Sequence, residues 1–91
     1  MSVTGKDVEA QLTEKLEPIE LDVTDDSHLH AGHAGAKEGR HFSVRIVSNR
    51  FSGLSRVARH RLVYDAVLAL MSSGIHALAI DARTPDEIKG G

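Results

Sequence analysis

Six histidines and no cysteine are the main chemical facts of this 91-residue chain. His28, His30 and His33 sit in a glycine-bearing stretch, His41 follows it, His60 stands between two arginines, and His76 lies in the apolar context Ile75-His-Ala-Leu78. Neutral imidazole is a borderline ligand that suits iron, zinc and copper. The His-x-His-x-x-His spacing is not that of a zinc motif, and the sequence fixes no acidic partner beside it. By pattern alone, the three loop histidines read as solvated residues, and His76 as either a satisfied half-buried histidine or a ligand. His41 and His60 read as structural, one opening a strand and one in an Arg-His-Arg helical turn, though either could touch a partner. Without cysteine the chain can form neither a disulfide nor, by itself, a thiolate-held cluster.

Other chemistries find little support. There is no cysteine nucleophile, no Walker-type glycine loop and no His-Glu-x-x-His helix. Asp25 and Asp26 are adjacent, so at a strand end they point apart and cannot share a proton. These absences argue against an enzyme. Gly32-His-Ala-Gly35 has the form of a GxxG clamp, but it falls between strands instead of between helices, and aromatics at 3% leave no stacking platform for single strands. Charge is unevenly spread: residues 1–36 carry two Lys against eight acids, 37–61 carry seven Lys or Arg against one acid, and the whole chain is −2. An anionic partner would therefore meet the 37–61 stretch. Within it Arg56, Arg59, His60 and Arg61, with Tyr64 just beyond, could form a recognition surface for a protein or for DNA phosphates. The same residues could equally be a solvated helical face, with Tyr64 capping the core.

The elements that must position these residues follow from periodicity. Thr4 and Asp7 form a capping pattern, and Val8, Leu12 and Leu16 recur at helical spacing until Pro18. Ile19, Leu21 and Val23 then alternate with polar residues, predicting a strand with one buried face. Residues 25–39 form a loop that holds three glycines and three histidines, long enough to suggest function. A second strand over 41–48, with Phe42, Val44 and Ile46 inward, should pair antiparallel with the first. A principal helix is expected over 55–71, followed by a short third strand over 75–80. That strand has Ile75, Ala77 and Ala79 on one side and His76, Leu78 and Ile80 on the other, so it reads as central or covered. Thr84-Pro-Asp-Glu87 is a capping box that opens a brief last helix.

The expected fold is α+β in the order α-β-β-α-β-α: one domain over 1–91, a three-stranded sheet with helices on one face, and residues 1–3 and 89–91 frayed. No apolar run approaches the ~18 residues that would span a bilayer. With no targeting segment legible, a cytoplasmic location is expected.

The succession His41-Phe-Ser-Val-Arg-Ile-Val-Ser48, Phe51-Ser-Gly53, Arg59-His-Arg-Leu-Val-Tyr64, Ile75-His-Ala-Leu78 and Ala82-Arg-Thr-Pro85 resembles the BolA family across nearly the whole chain, from about Leu12 to Glu87. The histidine loop departs from it, being longer than in several relatives. The resemblance implies a class II KH-like topology and a non-enzymatic adaptor role in iron homeostasis. It also implies a monothiol glutaredoxin partner and a shared [2Fe–2S] cluster, held on the partner's side by its cysteine and a glutathione thiol. On this side it implies His76 as one ligand, and as the second His30, or His33 if the extra loop residues shift the register. DNA-binding regulation is the alternative role that the resemblance implies. The isolated chain would carry no cofactor and be a monomer or weak dimer.

Overall fold

The computed structural model describes residues 3–26, 40–72 and 74–89, with Arg40 and His76 described by their backbone alone. Helix α1 (Gly5–Leu16) is opened by the expected box, in which Thr4 N donates to Asp7 Oδ2 at 2.9 Å and Asp7 N donates to Thr4 Oγ1 at 3.3 Å. It ends at Glu17, whose left-handed backbone (φ 46°) turns the chain toward β1 (Glu20–Asp25). Strand β2 (Arg40–Val47) follows, then a 3-10 turn (Asn49–Phe51), α2 (Arg56–Ala66), α3 (Leu68–Met71), β3 (Ile75–Arg83) and α4 (Pro85–Lys89). Gly53, at φ 76°, makes the turn into α2 with a conformation that side chains resist.

The sheet order is β1-β2-β3, with β1 antiparallel and β3 parallel to β2, the latter joined through the α2–α3 crossover. The helices lie on one face. Val8, Leu12 and Leu16 of α1 and Val63 and Ala66 of α2 enclose Phe42, Val44, Ile46 and Leu78 in one core. Phe42 is 1% exposed and Leu12 fully enclosed, and burial of such a side chain is worth about 1.5–3 kcal/mol. The other face of the sheet carries exposed Asp22, Thr24, Arg45, Ala77, Ala79 and Asp81. Ser48, also fully buried, ties the layers together. Its Oγ donates to Leu16 O at 2.6 Å and accepts from Arg50 N at 3.1 Å, while its N donates to Arg83 O at 2.9 Å.

Five expectations need correcting. Strand β3 is an edge strand, not the central one, and it runs on to Arg83 instead of stopping at Ile80. Its second face looked apolar because of Ala77 and Ala79, which are small and exposed. Its face assignment also changes, because Arg40 pairs with Ile75 whereas His41 pairs with Ala77, leaving His76 as an extra residue. That bulge brings Ile75 and Leu78 to the same buried side, with Ile80 and Ala82 packed behind them. The long helix over 55–71 is interrupted at Val67 (φ −112°, ψ 18°), where a fully buried β-branched residue leaves helical geometry and Leu70 N bonds Val67 O at 2.9 Å. Ile19, expected inward, is 57% exposed because β1 begins one residue later, although Ile19 N still donates to Val47 O at 2.8 Å.

Candidate functional site

Strand directions bring three chain segments to one end of the sheet. The C-terminus of β1 and the N-termini of β2 and β3 all lie there, because β1 runs opposite to the other two. Between these ends of β1 and β2 the sequence places the segment 27–39. Its stems are close-set, since Asp26 N donates to His41 O at 2.7 Å and Ser43 Oγ donates to Asp26 Oδ2. Next to the β2 stem, at the ~4.8 Å spacing of neighbouring strands, is the His76 bulge. Bulges are unusual in parallel pairs, and beside functional sites they re-aim a side chain or end the pairing. Gly74, at φ 151°, admits the chain into this corner beside Val3, whose Cγ2 an added Cβ would meet at 3.6 Å.

His28, His30 and His33 lie outside the described residues, as does Gly32-His-Ala-Gly35. The topology therefore brings the His76 backbone to the end of the sheet where the histidine loop begins and returns. No group of three or more potential metal-ligating side chains occurs among the described residues. Imidazole is the borderline metal-binding donor that the sequence can offer at this corner of the sheet, since the chain has no cysteine. The sequence did contain a signal for the bulge: Ile75 and Leu78 are both apolar at a spacing of three, which strict alternation cannot bury on one side.

The basic residues occupy the other end of β3. A groove of about 770 Å³ runs between the start of α2, the C-terminal half of β3, and α4. Arg56, Arg59 and His60 line it, while Arg61 and Tyr64 are exposed further round α2. Arg59 is held within the molecule. Its Nε donates to Leu54 O (3.0 Å), its Nη1 to Ala82 O (3.2 Å) and Glu87 Oε1 (2.7 Å), and its Nη2 to Glu87 Oε2 (3.0 Å). This forked pair, helped by the backbone N–H of Thr84, holds the Glu87 carboxyl well below the usual range, at about 2. The capping box of α4 is present as expected, with Thr84 N to Glu87 Oε1 at 2.8 Å and Glu87 N to Thr84 Oγ1 at 3.3 Å. The second role of Glu87 as the partner of Arg59 had no local signal, because the two residues are 28 positions apart. Arg83 is likewise engaged, its Nε donating to Asp81 Oδ1 at 2.9 Å. Tyr64 Oη donates to Leu78 O at 3.3 Å, so it faces β3.

A family model described as BolA-like protein matches residues 12–87. SufE-like protein 1, chloroplastic/mitochondrial, of Arabidopsis thaliana is 46% identical over 90 residues, 92% of this chain and 24% of that protein. Protein BOLA1, chloroplastic, of the same plant is 47% identical over 81 residues, 85% of this chain and 51% of that protein. The chain thus spans a quarter to a half of these two relatives. The solved BolA domain of SufE1 from Arabidopsis thaliana superposes with a TM-score of 0.82 at 47% identity, covering 96% of this chain and 98% of that one. The chain belongs to the BolA-like family, a mixed α+β fold with a three-stranded sheet and four helices. Among the described residues no helix is long and apolar enough to cross a membrane.

Proposed function

We propose that this protein is a non-enzymatic adaptor that binds a monothiol glutaredoxin and contributes His76, together with His30 or His33, to a [2Fe–2S] cluster shared with that partner. The observation that carries the reading is the bulge: His76 is the extra residue of β3 at the sheet end from which the histidine loop leaves. A chain without cysteine needs thiolates from outside to hold such a cluster, which makes the partner a chemical requirement. The cluster, when bound, supplies one-electron redox capacity, and imidazole in place of thiolate raises its potential. This chain's residues orient one side of the site. The imidazole must be neutral to bind, so ligation weakens as pH falls.

The test is reconstitution with a monothiol glutaredoxin, glutathione, iron and sulfide. A heterodimer with visible cluster absorption that changes in His76→Ala is expected, and an unchanged spectrum overturns the ligand assignment. DNA binding by the 37–61 segment ranks second, because Arg59 already has four hydrogen bonds inside the molecule. It predicts DNA affinity that falls steeply with added salt and with removal of Arg56 and Arg61.

A further inference from the structure

The outer edge of β3 is closed at two points and open between them. Arg83 O accepts from Ser48 N of the β2 side, so odd-numbered peptide groups of this half-strand face β2. Leu78 O and Ala82 O face outward and are held by Tyr64 and Arg59. By the same alternation the N–H and C=O of Ile80, midway between, also face outward, and no partner meets them among the described residues. The interval between the two closed points is about 13 Å, four strand residues. It opens into the groove described above, which Ile80 and Ala82 help to line.

The charge of that groove is largely cancelled. Arg59 is paired with Glu87 and Arg83 with Asp81, whereas exposed Arg56 has no carboxylate partner among the described residues, and His60 stands one turn further along α2. One unpaired guanidinium therefore shares the groove with one unpaired backbone donor and acceptor. A phosphate chain fits this poorly, since it offers acceptors only and would leave the outward Ile80 carbonyl without a donor. A peptide amide offers both a donor and an acceptor.

We propose that this groove binds a short extended acidic segment of a partner protein, its backbone pairing with Ile80 and its carboxylate meeting Arg56 beside His60. The site goes beyond the adaptor reading and lies toward the opposite end of β3 from His76, so the two can fail separately. The test is an NMR titration of the full ¹⁵N-labelled chain with the capped peptide Thr-Val-Glu-Val-Thr. The Ile80 amide should shift saturably, and Arg56→Ala should weaken binding by about tenfold, as for loss of a charge-assisted bond. The peptide with Gln for Glu should bind as weakly as that variant is bound, and N-methylation of the central residue should abolish binding. His76→Ala should leave the titration unchanged. A still Ile80 amide, equal affinity for the Glu and Gln peptides, or displacement of the peptide by a short DNA duplex would each overturn the proposal.

Discussion

The two ends of β3 handle polar residues in opposite ways. At the His76 end, the extra residue of β3 lies beside the stems of the histidine loop, and the ligand role proposed for it comes from the family resemblance. At the Arg59 end, part of the charge that the sequence offers to a partner is consumed inside the molecule. Arg59 bonds Leu54, Ala82 and Glu87, and with Tyr64 it covers two outward carbonyls of an edge strand. Edge strands with unpaired peptide groups invite pairing with other chains, so these two side chains also protect against self-association. A basic stretch in sequence is therefore a weak guide to a binding surface until the pairings are known.

The largest expected effect breaks the histidine end. His76→Ala should abolish or grossly alter the visible absorption of the reconstituted heterodimer while thermal unfolding of the isolated chain keeps its cooperativity. Next is Ser48→Ala at the far end, which removes the donor to Leu16 O in a fully buried setting. Its cost should be about 1–3 kcal/mol by urea unfolding, with the slope unchanged. Arg59→Ala together with Tyr64→Phe should uncover Leu78 O and Ala82 O and produce concentration-dependent association in sedimentation, which Tyr64→Phe alone should not. That single change removes one long hydrogen bond and should cost no more than about 0.5–1.5 kcal/mol.

The smallest effect is a pH dependence. The Glu87 carboxyl titrates at about 2 in the folded chain against 4.5 ordinarily, so its contribution is complete above 4.5 and is lost as pH falls toward 2. Glu87→Gln should flatten the stability profile in that acid window and leave its shape near neutrality unchanged. An identical acid profile in the variant would show that the pairing with Arg59 contributes nothing to stability.

Much of the fold was legible locally. The Thr4 and Thr84 boxes, the helical spacing of Val8, Leu12 and Leu16, and the alternation of Phe42, Val44 and Ile46 all describe what the structure contains. The face of β3 was misread because an alternation rule applied from Ile75 cannot absorb an extra residue at His76. Its edge position was misread because Ala77 and Ala79 count as apolar in composition yet bury almost nothing. At the candidate site, residue types identified the histidines, but only strand direction shows that the loop stems and His76 share one end of the sheet.

By itself the sequence determined the capping boxes, the buried faces of α1 and β2, the lack of thiolates and the set of imidazoles, since these depend on residue type and on neighbours within four positions. Strand order, the bulge and the engagement of Arg59 were decided by the tertiary structure. Each depends on contacts between distant segments: Arg59 meets Ala82 across 23 positions and Glu87 across 28. Such contacts form only when α2, β3 and α4 pack together, and no local pattern carries their geometry.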